Sequence, residues 1–240
     1  MLRKASTALI TGGAKRIGQA IALDLARVGF DIALHYNSSQ KEAERTANAI
    51  RRLGVSCQLF RANLANENQT IKLISQVKKQ IPNLEILVNS ASIFEKSKLT
   101  IKDIKLLDQH FKIHLKAPFI LTCEFARLCT QGQVINILDT NVTKNRTSHI
   151  TYLMSKKSLE DLTKLSAVEL APNIRVNAIA PGLILPPQGQ NNLYLDRLAT
   201  RIPLKQKGEV RNITQAVRFL IENKFITGQV IYVDGGENLI

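Results

Sequence analysis

The chain contains no tryptophan, and aromatic residues make up only 5% of its 240 positions. Proteins that bind single-stranded nucleic acid without sequence preference stack the bases on aromatic side chains. Long apolar runs are also missing, since no stretch approaches the roughly 18 residues that span a bilayer. These deficits argue against a specific nucleic-acid binder and against a membrane protein.

Cysteine is scarce as well, with only Cys57, Cys123 and Cys129 in the chain. An odd number without CxxC spacing favours neither a disulfide framework nor a zinc site. The amino-terminal residues show no export signal, so we expect a soluble protein in the reducing cytoplasm and no bound metal.

Acidic residues are outnumbered, because 33 lysines and arginines face 19 aspartates and glutamates, for a formal net charge of +14. Such a field attracts polyanions, which include nucleic acid, an anionic cofactor and an acidic substrate. The basic residues are scattered along the chain, and no recognition motif accompanies them. The charge therefore favours a small anionic ligand over nucleic acid.

Short apolar runs alternate with amphipathic stretches along the whole chain, which is typical of βαβ units. The strands are predicted at 7–10, 31–36, 57–62, 85–89, 133–138, 174–180 and 229–234. The helices are predicted at 16–28, 40–53, 67–80, 103–130, 152–171 and 209–222. We therefore expect one α/β domain over residues 1–240, a Rossmann-like, doubly wound, seven-stranded parallel sheet with helices on both faces.

Residues 182–208 form the least periodic part of the sequence, with polar turn residues ahead of a short helix. Long loops in compact domains are often lids. This one follows the carboxyl end of a strand, where open α/β sheets bind ligands. We expect it to be a substrate lid.

A glycine loop, Thr11-Gly-Gly-Ala-Lys-Arg-Ile-Gly18, lies between the first strand and the first helix. Gly12 allows a tight turn and Gly18 a close helix, so that the first helical N–H groups face an anion. Where a third glycine is usual, the chain has Arg16. The order of strand, loop and helix predicts a dinucleotide phosphate site.

The second strand ends in Tyr36-Asn-Ser-Ser39, with no carboxylate before Glu42. An acidic residue here binds the ribose 2′-hydroxyl of NAD, whereas hydroxyls, amides and a nearby Lys15 or Arg16 suit a 2′-phosphate. The pattern favours NADPH over NADH. The serines also fit ordinary helix caps, and the sequence leaves that alternative open.

Tyr152 and Lys156 are four residues apart and therefore share one face of a helix. An ammonium that stabilises phenolate brings the pKa of a tyrosine closer to neutrality, where it can exchange protons. Taken alone, the pair is a common coincidence. After a glycine loop and the fifth strand, it indicates an acid–base site.

Over essentially its whole length the chain resembles the short-chain dehydrogenase/reductase family. The motifs that carry the resemblance are TGGAKRIG (11–18), NSAS (89–92), Tyr152 with Lys156, IRVNAIAPG (174–182) and ITGQVIYVDGG (226–236). The resemblance implies an NAD(P)-dependent oxidoreductase that acts on a carbonyl or imine. It also implies a homotetramer, or a dimer, with two long helices at the main interface.

Three positions depart from the common family pattern, namely Arg16 for glycine, Asp139 for serine and His114 for asparagine. These departures, with Phe94 in NSASIF (89–94), resemble the pteridine reductases and the bacterial dihydromonapterin reductases. The resemblance implies NADPH-dependent reduction of a dihydropterin, which includes dihydromonapterin, dihydrobiopterin and dihydrofolate. Imine reduction requires a proton on nitrogen, for which Asp139 and Tyr152 are the candidates.

The resemblance assigns roles residue by residue. The implied catalytic residues are Asp139, Tyr152 and Lys156. The implied substrate-binding residues are Arg16, Ser92, Phe94, Asp139 and Tyr152. The implied cofactor-binding residues are Gly12, Lys15, Arg16, Ile17, Tyr36, Asn37, Ser38, Ser39, Asn63, Leu64, Asn89, Ala91, Ser92, Tyr152, Lys156, Pro181, Gly182 and Ile184.

Alternatives remain for the whole chain and for several of its residues. The chain also fits a carbonyl or 3-oxoacyl reductase of the same family, and a non-catalytic NADPH-binding regulator. Phe94 also fits a buried core position. His110 and His114 have metal-ligand spacing, although no HExxH motif accompanies them and a packed pair is favoured. Lys144 and Arg146 are candidates for holding the glutamate tail of a folate.

Overall fold

The computed structural model describes residues 6–187 and 189–240. Seven parallel strands form one sheet in the order β3-β2-β1-β4-β5-β6-β7. The predicted Rossmann-like, doubly wound fold class is confirmed. The strands are β1 (Thr7–Ile10), β2 (Asp31–Tyr36), β3 (Cys57–Arg61), β4 (Leu84–Asn89), β5 (Gly132–Ile137), β6 (Ile174–Pro181) and β7 (Val230–Val233).

Eight α-helices connect and cover the strands within the described part of the chain. They are α1 (Arg16–Arg27), α2 (Gln40–Arg51), α3 (Glu67–Gln80), α4 (Ile104–Phe111), α5 (Ala117–Leu128), α6 (Ile150–Glu169), α7 (Asn192–Ala199) and α8 (Val210–Glu222). Most predicted boundaries agree to within about two residues, which is the usual uncertainty of helix and strand ends.

The predicted helix at 103–130 is confirmed as a helical stretch, but it is not α-helical throughout. The stretch 103–130 is divided into α4 and α5 by a π-helical segment at Lys112–Lys116. A π turn carries one extra residue, so the side chains that follow it are rotated about the helix axis. The rotation is invisible to a pattern search because both halves keep helical periodicity.

The core lies on both faces of the sheet, as burial of a parallel sheet requires. On one face α1, α2 and α8 pack around residues such as Ile21, Leu34 and Val217. On the other face α3 and α5 pack around Leu73, Leu87 and Phe125. In the described residues, no helix is long and apolar enough to cross a membrane.

The strand order reverses direction between β1 and β4, because β1 pairs with β2 on one side and β4 on the other. Ligands of open α/β sheets bind in the crevice at such a switch point, beyond the carboxyl ends of the strands. The glycine loop, residues 89–94 and Asp139 all follow strands at this edge. Residues 182–208, which the sequence predicts to be a substrate lid, follow β6 at the same edge and contain α7.

Candidate active site

Two positions of the glycine loop after β1 leave no room for a side chain. Gly12 has φ of +65°, and a Cβ there would lie 2.9 Å from the Cα of Ala91. A Cβ on Gly18 would overlap the carbonyl oxygen of Gly12. The first N–H groups of α1 have no acceptor inside the helix and point toward this turn. The turn therefore fits the diphosphate of a dinucleotide.

Arg16 occupies a position where glycine is usual. The backbone conformation at this position explains the usual preference for glycine. Its φ is +57°, in the left-handed region that favours glycine. The exposed guanidinium donates from Nη2 to the carbonyl oxygen of Pro186, at 2.8 Å. Arg16 thus joins the glycine turn to the segment that follows β6. Its predicted contacts with cofactor phosphates and substrate remain predictions.

Two residues that were not among the predicted site residues hold the glycine turn in place. His35 on β2 accepts the N–H of Gly12 at Nδ1 (3.1 Å), and its Nε2 lies 3.0 Å from the carbonyl oxygen of Ala62. The ring is therefore neutral with its proton on Nε2, and burial lowers its pKa to about 4. Thr11 accepts the N–H groups of Ser90 and Ala91 at Oγ1. A buried histidine in an otherwise apolar strand was the available signal for His35.

At the carboxyl end of β2, Tyr36 is buried, whereas Asn37 and Ser38 are exposed. Ser39 is the N-cap residue of α2 but makes no side-chain capping hydrogen bond. Ser39 therefore occupies the cap position, and its hydroxyl is not used for capping. The hydroxyl and the N-terminus of α2 fit an anion such as a 2′-phosphate.

The loop after β3 forms the other wall of this region. Asn63 accepts the N–H of Ala65 at Oδ1, and its own backbone N–H donates to Gln69 Oε1. Leu64 is buried at the end of the loop. The loop is braced by its own hydrogen bonds, which fits a role in holding an adenine.

The predicted catalytic residues meet between β5 and α6. Asp139 follows β5 and caps the 3₁₀ turn Thr140–Thr143, accepting the N–H of Asn141 at Oδ1 (2.8 Å). Its other oxygen, Oδ2, accepts the hydroxyl proton of Tyr152 at 2.9 Å. The acid and the phenol therefore share one hydrogen bond, as an acid–base pair requires.

Lys156 is buried beneath this pair. Its Nζ donates to the carbonyl oxygen of Ile137 at 2.6 Å and lies 5.9 Å from the centre of the Tyr152 ring. Burial lowers the pKa of Lys156 to about 8, and the charge of Asp139 opposes that shift.

The expected direction of the Tyr152 pKa was wrong for this state of the protein. Burial, followed by the charge of Asp139 and the hydrogen bond to it, raises the pKa of Tyr152 well above 10. The expectation failed because the ammonium of Lys156 bonds a backbone carbonyl and not the phenol oxygen. Tyr152 consequently keeps its proton at neutral pH and is set up as a donor.

Phe94 stands over Tyr152 and is not a core residue, because 48% of it is exposed. Its ring stacks on His149, with centroids 4.2 Å apart and planes within 10°. It also meets the ring of Tyr152 edge to face at 4.8 Å. An exposed aromatic next to an acid–base pair suits a flat substrate.

The segment before Phe94 is tied to its surroundings. Asn89 is buried and donates from Nδ2 to Oδ1 of Asn136 at 2.9 Å. The Ser92 hydroxyl lies 3.0 Å from Nε2 of His114. The backbone of Ala91 packs so close to Gly12 that a side chain at Gly12 would collide with it.

The backbone where segment 182–208 begins is also closely packed. Pro181 ends β6, and the N–H of Gly182 donates to Val233 at 3.1 Å. A Cβ on Gly182 would lie 2.6 Å from the Cβ of Asp234. Ile184 is buried in the core, while Ile17 on α1 packs against the same cluster.

Lys15, also predicted to bind the cofactor, is exposed next to the glycine turn after β1.

The two histidines with metal-ligand spacing form a packed pair. Their rings stack with centroids 5.5 Å apart. His110 bonds Thr151 through Nδ1 at 2.7 Å, and His114 bonds Ser155 through Nδ1 at 2.8 Å. No cluster of three possible metal ligands occurs in residues 6–187 and 189–240.

Lys144 and Arg146 are already paired with an acid. Both contact Oε1 of the buried Glu237, at 3.5 Å and 3.1 Å. The idea that they hold the glutamate tail of a folate is not supported by this arrangement, because an anion would have to displace Glu237.

Comparison with known proteins agrees with the geometry. The family model described as enoyl-(acyl carrier protein) reductase matches residues 12–238. The chain belongs to the short-chain dehydrogenase/reductase family. It is therefore an NAD(P)-dependent oxidoreductase.

Relatives within the family differ in activity. The 3-oxoacyl-[acyl-carrier-protein] reductase FabG of Staphylococcus epidermidis is 33% identical over 239 residues, covering 96% of this chain and 98% of that protein. The dihydromonapterin reductase of an Enterobacter species is 27% identical and covers 96% of each chain. The solved structure of FolM alternative dihydrofolate reductase 1 from Brucella canis, a complex with NADP, is 39% identical. It matches with a TM-score of 0.92 over 98% of this chain and 95% of that chain.

Proposed function

We propose that this protein uses NADPH to reduce a dihydropterin, such as dihydromonapterin, dihydrobiopterin or dihydrofolate, to its tetrahydro form. The observation that carries the proposal is the hydrogen bond between Tyr152 and Asp139, since it places a proton donor next to a carboxylate that can accept the proton. The serine that is usual at position 139 serves a ketone, because a hydroxyl can donate to a carbonyl oxygen. A carboxylate suits a ring with amine, amide and imine nitrogens.

The proposed cofactor is NADPH, which supplies the hydride when bound. The glycine turn at Gly12 and the N-terminus of α1 fit its diphosphate, while Asn37, Ser38 and Ser39 fit its 2′-phosphate. Lys156 is expected to hold the nicotinamide ribose. Two solved relatives at 39% identity, from Brucella canis and Brucella suis, are complexes with NADP, which supports the choice.

The chain's own residues then provide the proton. Tyr152 holds its proton at neutral pH because its pKa is raised, and the hydrogen bond directs that proton toward Asp139. We propose that the ring nitrogen of the substrate takes a proton from this pair. Phe94, half-exposed above Tyr152, is expected to stack on one face of the pterin.

A second candidate is a carbonyl or 3-oxoacyl reductase, because FabG relatives are up to 33% identical over nearly the whole chain. One experiment separates the two. NADPH consumption is measured with dihydromonapterin, dihydrobiopterin, dihydrofolate and an acetoacetyl thioester, with NADH as the cofactor control. We expect turnover of at least one dihydropterin with NADPH, and turnover of the thioester alone would overturn the proposal.

A further inference from the structure

His114 lies in the π-helical segment between α4 and α5, and its ring is almost fully buried, with 1% exposed. π turns inside α-helices are often found at functional sites. The segment turns His114 away from solvent and toward α6, where it meets the edge of Tyr152 at 5.3 Å between ring centroids. The ring is therefore placed against the catalytic helix without touching Asp139.

The hydrogen bonds of the ring have only one consistent direction. The backbone N–H of Ile93 can only donate, and it lies 3.2 Å from Nε2, so Nε2 is an acceptor and carries no proton. The other nitrogen, Nδ1, then carries the proton of the neutral ring and donates to the Ser155 hydroxyl at 2.8 Å. Ser155 in turn donates to the backbone carbonyl oxygen of Tyr152 at 2.6 Å.

The surroundings keep the ring neutral. Burial lowers the pKa of His114 well below 6.5, and the charges of Lys156 from α6 and His110 from α4 lower it further. A protonated ring would place a donor against the N–H of Ile93 and lose that bond. Both nitrogens are thus committed to contacts, one to the loop after β4 and one to α6.

We propose that His114 is a positioning residue, which clamps the loop at Ser92–Ile93 to α6 and so sets Phe94 against Tyr152. Phe94 comes one residue after the clamp and is too exposed to be held by core packing. On its other side the loop is held at Ser97, whose Oγ accepts the N–H of Thr151. Upstream of Phe94, Thr11 holds Ser90 and Ala91, and His114 is the anchor nearest to Phe94. The consequence of this anchor for substrate binding rests on the proposed pterin function.

Substitutions can break one end of the clamp at a time. The amide of glutamine reaches the place of Nε2, so His114→Gln keeps an acceptor for Ile93. The shorter amide of asparagine reaches only the place of Nδ1, so His114→Asn keeps a partner for Ser155 but releases the loop. His114→Ala removes both contacts.

Steady-state kinetics with NADPH and dihydrobiopterin test the clamp. We expect His114→Asn and His114→Ala to raise KM for dihydrobiopterin by about tenfold, more than they lower kcat. His114→Gln should stay within threefold of the wild type, and the Kd for NADPH, followed by fluorescence, should stay within twofold in all three. Equal effects of glutamine and asparagine, or a change in kcat alone, would overturn the proposal.

A second measurement needs neither substrate nor cofactor. Long-range ¹H–¹⁵N NMR of the wild-type protein at neutral pH, with the His114 signal assigned by its loss in His114→Gln, should show the tautomer protonated on Nδ1. The Nε2-protonated tautomer or the charged ring would refute the clamp. Failure of the wild type to reduce any dihydropterin would refute the proposed function, and the tautomer would still decide the role of His114.

Discussion

The hydroxyl of Tyr152 donates its proton to Oδ2 of Asp139 across 2.9 Å, while the other carboxylate oxygen of Asp139 is bonded to Asn141. The second contact fixes the carboxylate, so that only one oxygen faces the phenol. The two groups belong to a loop and to a helix thirteen residues apart in sequence. Asp139 follows the carboxyl end of β5, and this position brings it next to Tyr152 on α6.

Replacing Asp139 by Asn should lower kcat/KM for a dihydropterin by about a hundredfold or more, which is the contribution of a positioned acid or base. The amide keeps the shape of the side chain but cannot relay a proton as the carboxyl group does. The Kd for NADPH should change by less than threefold. Asp31→Asn is the matched control, since that carboxylate begins β2 at the opposite edge of the sheet and accepts the N–H of Ser56. Full pterin reductase activity of Asp139→Asn would exclude the proposed role.

Order and type of the main elements followed from the sequence, because buried parallel strands and amphipathic helices have distinct periodicities. The contacts between segments that are distant in sequence could not be predicted in this way. The bond from Gly12 to His35 joins residues 23 apart, and no local pattern encodes it. The helical spacing of Tyr152 and Lys156 fixed their common face, but the carbonyl of Ile137 decided where the ammonium points.

Lys156 leads to a prediction about alkaline pH. Burial lowers its pKa to about 8, so its ammonium is present below pH 8 and is lost above it. If the ammonium holds the cofactor ribose, the affinity for NADPH should fall above pH 8, by at most about tenfold per pH unit for one proton. Fluorescence titrations from pH 6.5 to 9.5 measure this. Lys156→Arg keeps its charge throughout and should show no such fall, and an identical pH dependence in both proteins would contradict the prediction.

His35 predicts a loss of stability in acid. Its folded pKa of about 4 lies below the unfolded value of 6.5, so the unfolded chain binds the extra proton between these values. The free energy of unfolding therefore falls as the pH drops from 6.5 toward 4, by about 3 kcal/mol for this shift. Urea unfolding at several pH values gives the free energy of unfolding as a function of pH. This free energy should fall less steeply between pH 6.5 and 4 for His35→Gln than for the wild type. If the unfolding free energy of the variant depends on pH as in the wild type, groups other than His35 cause the loss of stability in acid.

Substitution of Arg16 is expected to affect thermal stability and catalytic activity in different directions. Its φ of +57° is strained for any residue with a Cβ, at a cost of about 1–2 kcal/mol. Arg16→Gly should therefore leave the melting temperature unchanged or raise it, although its contact with the Pro186 carbonyl is lost. The same variant should lower kcat/KM for the dihydropterin at least tenfold. Arg16→Ala is the control, because it loses the same guanidinium but keeps the strain, and it should melt below Arg16→Gly.

The exposed faces of α5 and α6 predict self-association. Leu165 and Val168 on α6 are 69% and 82% exposed, and Phe119 on α5 is 52% exposed. Apolar surface of this kind is stabilised by burial at about 25 cal/mol per Å². We expect a homotetramer, or a dimer, in which a second copy covers these two helices. Val168→Glu should shift the mass measured by light scattering toward that of the monomer. Leu53→Glu, which alters an exposed leucine beyond α2, should leave it unchanged, and a monomeric wild type would contradict the expectation.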